Sequence, residues 1–446
     1  MRRFLLLVPL LILLAVALMP IHAQQDTTAT ASPECVALVE QAMSSLAENC
    51  AGLGSSAACV GFSSVSATFS ADEVPFSAAG DNAGLDALQS VSAAALDLEA
   101  ELWGLATINA FANVPLALSP TGIHYVLLGD TTVTNAVDPA SAFVPVEPIS
   151  VVVLVGANLR VSPSTDSTVL ASASVGQELL ADALSSDGSF VRVVFDGQVA
   201  WISSQVVTPS EGDLSSLPTL TTSSRSLMQS ITVETHAGST CANAPSVLLI
   251  QGPSNFASLI NINGADIRFD GTIGVHITDD NIMHLYALNG NAYTGGVSIP
   301  PGFTADVQLN SDGTGLDGLW SHLRPTNENE RASLTATNVV PEAVLLNPIV
   351  FPSQEEVLNT LAAINGAASV GAATSNGTLN CARFRPTSPL GGMPNGNAAF
   401  FWDGVQGATS YRINLYNDAG ARVSSLETSS TNTTLSVNTT AAAIGG

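Results

Sequence analysis

The sequence contains no lysine. Twelve arginines supply all of its permanent positive side-chain charge against 37 acidic residues, for a net charge of −25 over 446 residues. Without lysine there is no P-loop lysine for nucleotide phosphates, no Schiff-base amine for pyridoxal chemistry and no Ser-Lys dyad. A surface of this sign repels phosphate backbones, which excludes nucleic acid as a partner. Charged residues of either sign are scarce at 11%, and aromatics make up 5%. Ser, Thr, Asn and Gly are left to cover the surface, as in many exported β-rich proteins. Beyond His22 the histidines are scattered at 124, 236, 276, 284 and 322, and HExxH, GxSxG and GxxxxGK[ST] are all missing. The sequence therefore assigns no catalytic residue, no cofactor and no metal site.

Three weaker constellations are present. His276 and His284 could meet across neighbouring strands beside Asp279 or Asp280, but such pairs are more often plain surface residues. The loops Asn310–Asp317 and Gly80–Asp86 carry oxygen ligands near glycine turns without the spacing of a helical calcium loop. Asp97, Glu99 and Glu101 alternate with apolar residues through Trp103, so they are expected on one solvated strand face.

What is present begins with Arg2-Arg3, an apolar run from Phe4 to Met19 and Ile21-His22-Ala23 before Gln24. That is the layout of a secretory signal peptide over 1–23. After it no apolar run is long enough to span a bilayer, and the mature chain is expected to be secreted or held at the cell surface. In that compartment Cys35, Cys50, Cys59, Cys241 and Cys381 are expected in disulfides. The preferred pairs are Cys50 with Cys59, or Cys35 with Cys59, and then Cys241 with Cys381. Spacing alone does not fix the connectivity.

The rest of the chain reads as mainly β and multidomain. Residues 24–34 form a polar linker, and 35–143 an α+β module that opens on a helix over Cys35–Cys50, with Val36, Val39, Met43 and Leu46 at helical spacing. Residues 139–148 and 209–226 read as linkers. Between 230 and 340 short apolar strands are punctuated by Asn263-Gly264, Asp270-Gly271 and Asn289-Gly290 turns. Residues 350–367 read as a connector helix, with a Ser353/Glu356 capping box, a stripe of Val357, Leu358, Leu361 and Ile364, and a stop at Gly366.

The sharpest stretch is Ile149–Val207. Asp187-Gly188 and Asp196-Gly197 each sit between apolar-rich runs, and Phe190–Phe195 and Val199–Ile202 are the strands that those turns predict. With Asn158-Leu159-Arg160-Val161, Val169-Leu170, Gly176 and Val199-Ala200-Trp201-Ile202, residues 150–208 resemble the bacterial SH3 (SH3b) family. Phe190 stands where that family often has Trp, and Ala200 where it usually has Gly. The resemblance implies an SH3-like barrel and a non-catalytic module for targeting or scaffolding, often linked to cell-wall peptide recognition. Asn158, Arg160, Phe190 and Trp201 are its candidate ligand-binding residues, with Trp201 expected mostly in the core.

Two further stretches carry weaker resemblances. Residues 245–312, within 230–340, resemble the β-roll of FecR-like domains, which implies a signal-relay or structural role. Residues 384–446, with Phe400-Phe401-Trp402 and Tyr411–Tyr416, resemble a fibronectin type III sandwich short of about two strands. From this the chain is expected to continue past residue 446. The N-terminal module resembles an uncharacterised module of exported multidomain bacterial proteins.

The leading expectation is an exported, non-catalytic binding or scaffolding protein whose partners are peptidoglycan or other cell-surface components. The first alternative is a hydrolase with its catalytic unit in the N-terminal module, joining Asp97, Glu99 or Glu101 to His124, or in a missing C-terminal part. The second is a FecR-like surface signal-relay or structural protein. Oligomeric state is left open.

Overall fold

The computed structural model describes residues 32–369 apart from 71–73, 237–240, 242–243, 254–255 and 322, together with five strands between 386 and 437. The expected signal peptide and Cys381 lie outside the described residues.

The first element, helix α1 (Pro33–Cys50), is capped by Ser32, whose Oγ accepts from the Cys35 amide at 3.2 Å, with Pro33 in its first turn. It buries Cys35, Leu38, Val39, Ala42, Met43, Leu46 and Cys50. Val36, expected on that stripe, faces out, because the packed face is set one residue earlier by Cys35.

Seven strands follow: β1 (Ala57–Val60), β2 (Val65–Phe69), β3 (Asn82–Gly84), β4 (Leu88–Ala93), β5 (Leu105–Ala110), β6 (Ile123–Leu128) and β7 (Thr131–Asn135). The barrel strands are β8 (Ile149–Val153), β9 (Ala157–Arg160), β10 (Val169–Ala173), β11 (Glu178–Ser185), β12 (Phe190–Phe195), β13 (Gln198–Ser203), β14 (Val207–Pro209) and β15 (Thr219–Leu220). Then come β16 (Ser230–Thr235), β17 (Val247–Gln251), β18 (Ser258–Ile262), β19 (Ala265–Phe269), β20 (Thr272–Ile277), β21 (Ile282–Asn289), β22 (Ala292–Thr294), β23 (Val297–Ile299), β24 (Phe303–Gln308) and β25 (Arg324–Pro325).

The expected separation of 35–143 from 230–340 does not hold. Strands from both stretches interleave in a nine-stranded sheet, β25-β24-β21-β20-β17-β6-β5-β1-β3, and an eight-stranded sheet, β2-β4-β7-β16-β18-β19-β22-β23. Two pairings join the halves: β6 with β17 across Val126↔Leu249, and β7 with β16 across Val133↔Val233. The sheets pack face to face as a sandwich over one core that includes Ile108, Tyr125, Val133, Val233, Ile260 and Ile273. Strands β5 and β6 are buried along their whole length, because α1 and chain around Val340–Phe351 cover the outer face of the large sheet. Strands buried on both faces lose the apolar/polar alternation that would have marked them as one sheet.

The expected alternating strand over Asp97–Trp103 is a turn. Asp97 Oδ1 accepts from the amides of Glu99 and Ala100, and Asp97 and Leu102 close the turn through their backbones. A side-chain acceptor at the start of the segment competes with the strand ladder and wins.

Cysteine pairing is part expectation, part correction. Cys50 pairs with Cys59, as preferred. Cys241 pairs with Cys35 rather than Cys381, across 206 residues of sequence. The shared sandwich brings α1 beside the chain that leads into β17.

Between β7 and β16 the chain leaves to build the barrel, so the barrel replaces the loop of a β-hairpin: Asn135 and Ile231 are direct partners. Its sheet order is β10-β9-β13-β12-β11-β8-β14, with β15 parallel to β11. The Asp196-Gly197 turn has positive φ at both residues (49° and 71°), as a tight two-residue hairpin demands. Residues 209–226 are no free linker, since Leu217 is buried in the barrel core and β15 joins its sheet.

Two helices close the described sandwich, α2 (Glu328–Thr335) and α3 (Gln354–Ser369). The capping box of α3 is formed: Ser353 Oγ accepts from the Glu356 amide, and Glu356 Oε2 accepts from the Ser353 amide at 2.7 Å. Val357 is buried and Leu361 and Ile364 pack on the core, while Leu358 is exposed and the helix runs past Gly366. Near the C-terminus β26 (Pro386–Ser388), β27 (Gly396–Trp402) and β30 (Asn432–Val437) form one sheet, and β28 (Tyr411–Tyr416) and β29 (Arg422–Thr428) another.

Candidate functional site

The barrel core holds Val151, Leu159, Val191, Val193, Ala200 and Ile202. Residues on β12 and β13 that alternate with these point away from it. Direct antiparallel partners share a face, so the pairs Arg192↔Trp201 and Trp201↔Arg160 lay a row of three side chains across the outer face. Phe190 has the same parity as Arg192. Trp201 and Phe190 are nevertheless buried, at 8% and 7% exposed. Trp201 is buried, as expected of a core residue, but on the face of β13 opposite to the barrel core.

Arg192 explains what happens on that face. Its Nε and Nη2 donate to the two oxygens of Asp182 at 2.8 and 2.7 Å, with both side chains 4% exposed. The remaining Nη1 donates to the carbonyl of Asn113, in the β5–β6 connection of the sandwich, at 3.0 Å. Asn113 sits at φ 58°. Its side-chain Nδ2 donates to the carbonyl of Ser224, and its Oδ1 accepts from the Ser226 hydroxyl. One asparagine therefore ties the barrel, the 209–226 segment and the sandwich together. A bidentate guanidinium–carboxylate pair with its spare donor also satisfied is the arrangement in which a buried charge is tolerable.

Of the four candidate ligand residues, only Asn158 is exposed. Arg160 is half-buried and its Nη1 donates to the Ser167 carbonyl at 2.6 Å. Among the Ser, Thr, Asp and Gly residues that the barrel exposes are two apolar groups: Leu154, Val155 and Val175 at one end, and Val161, Val169 and Leu170 around the β9–β10 loop. The first group is drawn together by the Gly176 amide, which donates to the Val153 carbonyl at 2.8 Å. Sequence reasoning missed these residues because apolar side chains in strand-rich segments read as core.

The carboxylates of Asp97, Glu99 and Glu101 are exposed in their turn, whereas His124 is buried in the large sheet, where its Nδ1 meets Asn109 Oδ1 at 2.5 Å. Burial holds the His124 pKa down at about 4, and its Nε2 has no hydrogen-bond partner. The structure does not bring these groups together as an acid–base set.

A second polar cluster lies on the outer face of the large sheet. Here His276 and His284 are direct cross-strand partners, with ring centroids 6.3 Å apart and planes within 10°. His284 Nδ1 meets Asp306 Oδ1 at 2.6 Å. Arg324 binds Asp306 through Nε and Nη2, and Glu330 of α2 through Nη1 and Nη2, at 2.7–2.9 Å. Burial pushes Asp306 up, but His284 and Arg324 outweigh it and hold its carboxyl below the usual range. Among the described residues no group of three or more His, Cys, Asp and Glu side chains is placed to hold a metal ion. No helix among them is long and apolar enough to cross a membrane.

No curated protein and no solved structure matches the chain. One family model does, and it falls on the barrel: the bacterial SH3 domain, over residues 155–208. The FecR-like and fibronectin type III resemblances are not shown by it. The barrel inserted between β7 and β16 is a bacterial SH3 domain.

Proposed function

We propose that this chain is an exported, non-catalytic binding protein that engages peptidoglycan or a related cell-surface component through its SH3 domain, with the sandwich as scaffold. The observation that carries the reading is the bacterial SH3 match on a barrel latched to the sandwich through Asp182, Arg192 and Asn113. A rigid mount of this kind reduces the orientational freedom lost on binding. Two disulfides support an oxidising compartment. The row of Arg160, Trp201 and Arg192 is largely covered, so the contact surface is placed on Asn158 and the exposed apolar end at Leu154, Val155 and Val175. Apolar contacts of this kind suit the methyl-bearing stem peptides of a cell wall better than its anionic polymers, which a chain of net charge −25 repels.

Co-sedimentation of the whole chain with purified peptidoglycan at low salt tests this. Retention of the wild type and loss of most of it in a Val155→Glu/Val175→Glu variant is the expected result. No retention of the wild type, or equal retention of both, would overturn it.

A further inference from the structure

We propose that His276 and His284 form a two-histidine site for a borderline transition-metal ion, of the zinc, nickel or copper class, on the outer face of the large sheet. The argument rests on which nitrogen each ring has left to offer. Ring Nδ1 of His276 lies 3.0 Å from the Ser246 carbonyl oxygen and 3.1 Å from Thr235 Oγ1. That hydroxyl already donates to the Ile277 carbonyl, so both neighbours present acceptors and Nδ1 must carry the proton. Ring Nδ1 of His284 faces a carboxylate oxygen of Asp306, again an acceptor. Both rings are therefore held as Nδ1–H donors, and in both Nε2 is the nitrogen left for a further partner. Donation from one ring nitrogen to a carbonyl or carboxylate is the support that metal-binding histidines use, because it orients the ring and makes the other nitrogen more basic.

An ion about 2.1 Å from each nitrogen places the two ring centres at most roughly 6.5 Å apart, and only with both Nε2 atoms on the line between them. The rings stand 6.3 Å apart with near-parallel, stacked planes, so they must turn towards each other as well as approach to share an ion. Closing to a tetrahedral angle asks the rings to approach by about an ångström. Asp306 cannot swing away to chelate, because Arg324 holds both its oxygens and is itself held by Glu330. Solvent would complete the coordination shell, since both rings are only partly buried. Two imidazoles favour zinc, copper and nickel over calcium or magnesium, which take oxygen ligands.

Calorimetric titration of the full metal-free chain with Zn2+, Ni2+ and Cu2+ tests the site. One ion per chain in the micromolar range is expected, lost in His276→Gln and in His284→Gln but kept in His236→Gln. Asp306→Asn should weaken it about 10–100-fold. Electron paramagnetic resonance of the Cu2+-loaded chain should report two nitrogen ligands, and circular dichroism checks that each variant is folded. Weak binding shared by all variants would mean that only the acidic surface collects the ion, and would overturn the proposal. So would a Cu2+ spectrum without paired nitrogen ligands.

Discussion

The barrel and the sandwich are built from the same short apolar strands, yet they are held in opposite ways. Barrel strands such as β11 with β12 and β12 with β13 pair through tight turns, and even the outermost pairing, β8 with β14, stays within the barrel's own short stretch of chain. In the sandwich, β6 finds its partner β17 more than a hundred residues later, and a disulfide spanning 206 residues ties α1 to the second half. Local pairings close cheaply, whereas non-local ones must overcome a large loop-closure entropy before they gain anything. The covalent staple sits in the unit that needs it. The barrel relies on a buried ion pair instead.

Breaking Cys35–Cys241 tests the contrast most severely. In the chain-entropy account a loop of this length is worth roughly 5 kcal/mol, so Cys35→Ser/Cys241→Ser should lower the urea midpoint of the sandwich more than any other change here. The barrel transition, followed by amide hydrogen exchange of β11–β13, should move far less. Equal shifts in both would mean that the two unfold as one cooperative unit. Next comes the buried pair. Asp182→Ala leaves Arg192 uncompensated and should cost about 3–5 kcal/mol, chiefly in the barrel. The double change Asp182→Leu/Arg192→Met should recover much of that loss, and if it does not, the pair contributes more than charge compensation.

The third effect is confined to the sandwich. His124 titrates at about 4 when folded against an ordinary 6.5, so between those values the unfolded chain binds the extra proton. Its contribution is full above pH 6.5 and is lost as pH falls towards 4, about 3 kcal/mol in all. Denaturation midpoints at pH 7.5 and 4.5 should differ less in His124→Asn than in the wild type, and identical differences would refute the assignment. The smallest effect is at the α3 cap, where Ser353→Ala should cost about 1 kcal/mol by thermal melting.

Legibility in the sequence followed the same divide. Asp196-Gly197 and Asn263-Gly264 announced their hairpins because both residues of each pair must take positive φ, and they do. The strands on either side, β12 with β13 in the barrel and β18 with β19 in the sandwich, fell where those turns put them. The shared sheets, by contrast, leave no local mark. Strands β5 and β6 are buried on both faces and do not alternate, and nothing near Cys35 names Cys241 as its partner. Trp201 shows a subtler limit. Its burial was legible from residue type, but the face it occupies depends on the register that sets it opposite Arg192. The Asp182–Arg192 and His284–Asp306–Arg324–Glu330 networks were missed because their members are brought together by pairing between strands and, for Glu330, by the packing of α2, not by spacing along one element.

The insertion of the barrel at a hairpin tip has a mechanical consequence. Both strands that carry it, β7 and β16, enter the eight-stranded sheet side by side, flanked by β4 and β18. A tug on the barrel is transmitted along both strands at once, so it loads the hairpin lengthwise against those neighbours. The four residue pairs that β7 makes with β4 and the two that β16 makes with β18 then share the force, where an insert on a single terminal strand would let them unzip one at a time.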